Sequence, residues 1–183
     1  SLTVSTTPLP LAHGLVRSLP EAFWLSSDAA LSAAMPWAQL VGAPAAKLPA
    51  GDADALRRDA TARIQKALDT IEGQLGWNGL SAWPWGSPSL MATTWALDFV
   101  LTLRENGRDV RPELVRRLAD AISNALDGLT PDALGQARTA AWALAQLTRE
   151  GTLEAERIEA KLRPLNLGAT LIETAAPKSA AGT

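Results

Sequence analysis

The sequence predicts an all-α protein, an α/α toroid of alternating inner and outer helices, complete or incomplete. Three observations lead there. After Pro8 and Pro10 the apolar residues recur at helical rather than alternating spacing. Segments apolar on most sides (28–41, 89–105 and 132–150) alternate with segments carrying one apolar stripe (11–19, 52–75, 112–126 and 153–162). A helix apolar all round must be covered from several directions, whereas a one-striped helix lies outside, so this alternation suits two concentric layers. Finally, each inner segment carries Trp followed by Ala, at Trp37-Ala38, Trp95-Ala96 and Trp142-Ala143. These recur roughly 50 residues apart, the spacing of helical-hairpin repeats with one long loop. An irregular helical bundle is the alternative, since its core would also use Trp and Ala.

The elements follow in order. Leu2 to Ser5 alternates and is rich in Thr and Val, which marks residues 1–10 as a strand or connector. Leu11 to Leu19 is a short helix stopped at Pro20. Asp28 to Val41 is Ala-rich. Asp52 caps a long helix to Leu75, with Leu56, Ala60, Ile64, Leu68, Ile71 and Leu75 on one side. Gly76 to Gly86 contains three glycines and a proline and cannot be regular helix. Ser89 to Glu105 is apolar nearly all round and closes at Gly107, a C′ residue. Pro112 at N1 opens the next helix, striped by Leu114, Val115, Leu118, Ile122 and Leu126. Thr130 caps and Pro131 starts the segment to Glu150, with Gly151 after it. Leu153 to Leu162 is amphipathic and stops at Pro164. The helical domain is therefore placed at 11–170. A flexible tail is expected at 171–183, dominated from Ala175 by Ala, Pro, Ser, Gly and Thr.

Composition removes whole classes of chemistry. The 183 residues suit one domain, or a large piece of one, with enough chain to bury a core. A net charge of −2 with scattered Arg and Glu gives no footprint for nucleic acid and no polybasic patch. The apolar runs are short and interrupted, so neither a signal peptide nor direct membrane insertion is expected. The absence of cysteine excludes disulfides, thiolate catalysis and cysteine metal sites. The single histidine, His13, excludes His-pair metal motifs and reads as a helix-face residue rather than a base. No phosphate loop, nucleophile elbow or metal spacing is present, so no cofactor is expected.

Two stretches resemble the thioester domain of bacterial alpha-2-macroglobulin-like proteins. The first is Leu2 to Leu40, where Ser5-Thr6-Thr7-Pro8-Leu9 leads through Leu15-Val16 and Leu19 to Phe23-Trp24. The family has Tyr-Pro-Tyr-Gly-Cys-x-Glu-Gln-Thr there, then an apolar helix that often contains Pro. Here the four thioester positions are Ser26, Ser27, Asp28 and Ala29, followed by Leu31-Ser32-Ala33-Ala34-Met35-Pro36. The second stretch is Ile64 to Leu118. It is similar to the family's helix, then Gln-x-x-x-Gly-Gly-Phe-x-x-Trp, then an apolar helix and Gly-x-x-Val-Pro. The matching residues are Gln74, Gly76-Trp77-Asn78-Gly79-Leu80, Ala82-Trp83, Trp95-Ala96-Leu97-Asp98-Phe99 and Gly107-Arg108-Asp109-Val110.

The resemblance implies a bait-and-trap inhibitor of proteases, but without its covalent step. A thioester needs a Cys thiol and a Gln side-chain carbonyl. Ser26 offers oxygen in place of sulfur, and Ala29 has no acyl group. Subgroups lacking the motif are known in this family. The expected role is therefore a non-enzymatic domain that contributes to non-covalent protease inhibition or to protein–protein assembly. Its expected partners are proteases, sibling subunits of a periplasmic complex, or other domains of the same parent chain. The resemblance implies a periplasmic or cell-envelope location. A full toroid of six hairpins needs roughly 250–300 residues, so a shorter ring predicts an apolar edge and dimerisation or docking.

Other residues keep two readings. Asp52, Asp54 and Asp59 read as a metal or hydrolytic cluster, or as residues favoured by a helix N-terminus. Asp98, in a nearly all-apolar helix, either meets Arg or a backbone donor or marks a pocket. Trp77, Trp83 and Trp85 either stack on a ligand or partner, or fold back onto the toroid as a plug. That group also carries the alternative function: an α/α-toroid enzyme or binding module for glycans or terpenoids, with Asp28, Asp54 and Asp98 as candidate acids.

Overall fold

A computed structural model describes residues 26–41, 53–129, 136–151 and 160. Five helices make up 76% of the described residues, joined by one two-stranded hairpin, so the fold is all-α. The segments expected at 1–10, 11–19, 153–162 and 171–183 lie outside this set apart from Ala160, as do His13, Asp52, Thr130, Pro131 and the side chain of Leu56.

Helix α1 spans Ser27–Val41. Ser26 is its cap: its hydroxyl accepts from the Ala29 amide at 3.3 Å and its carbonyl from Ala30 at 3.2 Å. Asp28 in the first turn suits the positive end of the helix dipole. Pro36 lies inside the helix and leaves the Ser32 carbonyl without a helical donor, at an exposed residue. Helix α2, Ala53–Gln74, packs along α1 with Ala60, Ile64, Ala67 and Ile71 buried at helical spacing. The stripe thus runs through Ala67, with Leu68 only half-buried beside it. The Arg63 guanidinium lies 5.8 Å from the centre of the buried Trp37 ring and adds a cation–π contact between the two helices.

Leu75–Gly76 (β1) pairs antiparallel with Gly79–Leu80 (β2) around a two-residue turn at Trp77-Asn78. Strands of two residues are too short to show alternation, which is why the sequence marks this stretch only as a helix break. Helix α3, Leu90–Glu105, is the most deeply buried element, with Leu97, Phe99, Val100, Leu101 and Leu103 fully enclosed. It ends in a Schellman motif. The Arg108 amide donates to the Leu103 carbonyl and the Gly107 amide to Arg104, with Gly107 left-handed at φ +75°. Helix α4, Pro112–Asp127, starts with Pro at N1 and buries Leu114, Val115, Leu118, Ile122 and Leu126, the expected stripe. Helix α5, Ala137–Glu150, ends at Gly151, φ +92°, and the Pro131 start expected for it lies outside the described residues. It buries one stripe, Ala137, Ala140, Ala143, Leu144, Gln146 and Leu147, and exposes Arg138, Ala145 and Thr148. This is narrower than the burial on most sides expected for it, because its small alanines supply little apolar width on the remaining sides.

Two ties fix the relative direction of α1 and α3. At one end Ser27 bonds to Ser81 and Ala82, just before α3; at the other the Asn106 side-chain amide donates to the Ala38 carbonyl at 2.9 Å. The two helices therefore run parallel, and α2 returns antiparallel between them in sequence. Helix α3 also packs against α4 and α5, and its C-terminal half meets that of α5. The segments expected as inner, α1, α3 and α5, thus touch in succession, with α2 backing α1 and α4 backing α3. The shared core joins residues of all five helices.

Candidate functional site

Ser26 to Ala29 sit where the resemblance puts a thioester, and the structure gives each serine oxygen another task. Ser26 is buried and its oxygen caps α1. Ser27 is fully buried: its hydroxyl donates to the Ser81 carbonyl at 2.8 Å and its amide to the Ala82 carbonyl at 3.0 Å. A hydroxyl held as a donor to a carbonyl has no base to activate it, so Ser27 is not arranged as a nucleophile. Asp28 Oδ1 is buried with no hydrogen-bond partner. The four positions thus form a joint between the start of α1 and the loop before α3.

That loop carries the tryptophans. Trp77 is 96% exposed, Trp85 92% and Trp83 59%. The plug reading fails here, because the rings stand in solvent. Met91, in the first turn of α3, is the other large exposed apolar residue among those described. The backbone beneath the rings is tied down at many points. Gly86 donates to the Trp83 carbonyl, Ser89 to the Leu80 carbonyl, and Ser81 bridges Pro88. Thr93 is the keystone: its hydroxyl accepts from the buried Leu80 amide at 2.9 Å and donates to the Ser89 carbonyl at 2.8 Å. Ser89 in turn caps α3 by accepting from the Ala92 amide. Gly79, at φ +119°, is required at the contact with Thr93. At the foot of the hairpin the exposed Arg117 donates to the Leu75 carbonyl at 2.9 Å. None of these supporting roles, the Ser89 cap included, is among the expectations drawn from sequence. A threonine inside an apolar helix carries no local signal that its hydroxyl reaches back to a hairpin.

Asp98 takes the structural reading. Its carboxylate receives the Arg149 guanidinium at 2.6 Å. Arg149 also donates to Glu105 at 2.6 Å, to Gln146 at 3.0 Å and to Thr102 at 3.1 Å. The hydrogen bond from Arg149 holds the Glu105 carboxyl below its ordinary value of 4.5, outweighing the opposing effect of burial. The same bond, opposed by burial and aided by Asp98, raises Arg149. This is a clamp between α3 and α5, satisfied on both sides.

The remaining acids are dispersed. Asp54 is exposed at the start of α2 and pairs with Arg57 at 3.3 Å, and Asp59 is exposed. Because α1 and α2 are antiparallel, Asp28 and Asp54 lie at opposite ends of that pair, on the order of 20 Å apart for helices of this length. Among the described residues no group of three or more His, Cys, Asp or Glu could hold a metal ion. No helix among them is long and apolar enough to cross a membrane. No family model, curated protein or solved structure matches the chain.

Proposed function

We propose that this chain is a thioester-type domain of a bacterial alpha-2-macroglobulin-like protein, of the subgroup without the Cys-x-Glu-Gln motif. It acts in the periplasm or cell envelope without catalysis, holding a protease, a sibling subunit or another domain of its parent without a covalent bond. The observation that carries the non-covalent part of this reading is the use of Ser26 and Ser27, whose oxygens are both consumed in helix capping and loop attachment. The succession of parallel and backing helices supports an α/α toroid over an irregular bundle. The enzyme alternative finds less support, since Asp28 and Asp54 sit at opposite ends, Asp98 is neutralised by Arg149, and the tryptophans project rather than line a cleft.

The test is to incubate the full-length parent with several proteases and compare native and denaturing gels. Association is expected on the native gel and no adduct on the denaturing one. A denaturant-resistant adduct that depends on this domain overturns the proposal.

A further inference from the structure

The exposed tryptophans have no place in the reading above, and their setting is unusual in three respects. From Gly73 to Leu97 no residue is ionisable, so a long stretch around the loop can leave water without a charge-transfer cost. Trp77 and Trp85 sit on successive tight turns and are almost wholly exposed, so no described residue walls either ring. The backbone that bears them is pinned by Ser27, Ser89 and Thr93, which keeps the rings from collapsing onto the core. Exposing a large aromatic costs roughly 1.5–3 kcal/mol relative to burial. A pinned loop that holds three in water is built for contact.

The chemistry of the contact follows from the shape. A specific sugar or peptide site is concave, with placed polar groups beside its aromatics, whereas Trp77 and Trp85 stand almost wholly exposed on turns. A second copy of the same convex loop would meet ring against ring and cover little. A lipid interface supplies every wall itself. It favours Trp at the headgroup level and rejects ionised groups deeper than that. Arg117, exposed at the foot of the hairpin, stands behind the uncharged tips as a cation for a phosphate group.

We propose that the Trp77–Trp85 loop, with Met91 at its edge, seats this domain on a lipid surface by interfacial insertion of the indole rings. This is an interfacial seat, not a span, and it departs from the expectation of no direct membrane insertion drawn from composition. It does not rest on the thioester-type assignment. A seat of three indoles is weak and reversible, as one short anchor is.

The experiment is co-sedimentation of the full chain with phosphatidylcholine vesicles, alone and with about a third phosphatidylglycerol, together with quenching of Trp emission by lipids brominated near the headgroup. The wild type is expected to partition onto both vesicles with partial quenching, since four of its seven tryptophans lie outside the loop. High salt should change partition little on the neutral vesicles. Trp77→Ala/Trp85→Ala should lower partition about ten-fold or more while the helical circular dichroism is unchanged. Unquenched emission at millimolar lipid overturns the proposal. So does a wild-type sedimentation change that tracks protein concentration rather than lipid, or partition that survives both substitutions. A soluble glycan or proline-rich peptide that shifts the loop emission while vesicles do not overturns it as well.

Discussion

The hydroxyl of Thr93 stands 2.7 Å from the point that a Cβ on Gly79 would occupy. That distance is closer than real Cβ atoms approach, and the same hydroxyl bonds to the Leu80 amide and the Ser89 carbonyl. The hairpin and the start of α3 are therefore one interlocked unit rather than a loop leaning on a helix.

Gly79→Ala tests the interlock. It adds a side chain at positive φ and drives it into Thr93, which should cost about 2–4 kcal/mol of stability. Thr93→Val keeps the shape but strands the Leu80 amide, at about 1–3 kcal/mol. Urea denaturation of both variants and of the double variant provides the check. The double variant should cost less than the sum, because a Cβ at residue 79 already pushes the Leu80 amide away from Thr93, so losing the hydroxyl strands little more.

Arg149→Met leaves the half-buried Asp98 without its cation. A loss of about 2–3 kcal/mol is expected, measured by denaturation. Arg149→Lys should recover only part of it, because an ammonium cannot reach Asp98, Glu105 and Thr102 as a planar fork does. Pairing Arg149→Met with Asp98→Leu in a double-mutant cycle should show favourable coupling.

Acid weakens the same clamp in a defined direction. Folding lowers the Glu105 carboxyl through its bond to Arg149, so the contribution is present above the ordinary value of 4.5 and is lost as pH falls through the lower folded value. Arg149 stays charged throughout this range and adds no step. The denaturation midpoint should fall between about pH 5 and about pH 3. Glu105→Gln should flatten that slope, and an unchanged slope would reject the link.

Ser26→Ala and Ser27→Ala separate two structural duties. Loss of the cap should cost about 1 kcal/mol and leave the loop in place. Loss of the Ser27 hydroxyl strands a buried carbonyl at Ser81 and should cost about 1–2 kcal/mol. It should also speed amide exchange at Gly86 and Ser89 more than in α4. Equal exchange in both variants would contradict the joint.

The punctuation of the fold was legible where it is local. Gly107, Gly151 and Pro112 each act through their own φ or missing amide, and each lies where the sequence places a helix end or start. Asp98 announced a need for a partner, but Arg149 is 51 residues away, and nothing in a one-dimensional pattern selects it over other arginines. The Trp loop was undecidable for a different reason. Gly, Pro and Trp build a buried plug and a projecting platform equally well, and the choice falls to the Ser27 and Thr93 bonds beneath. The two-residue strands escaped because they are shorter than any period.

Parallel succession also governs the order in which this chain can assemble. Helix α3 meets α4 across a short turn, so those contacts close small loops and cost little chain entropy, whereas its bonds to Arg149 of α5 span 44 to 51 residues. The Asn106–Ala38 bond spans 68 residues and, like the Arg149 bonds, is expected to follow the local hairpins. Hairpin α3–α4 is then the nucleus, and α1 with α2 docks as a second unit. Because α3 contacts α1, α4 and α5, folding that begins at this hairpin can spread to the helices on both sides of it in sequence.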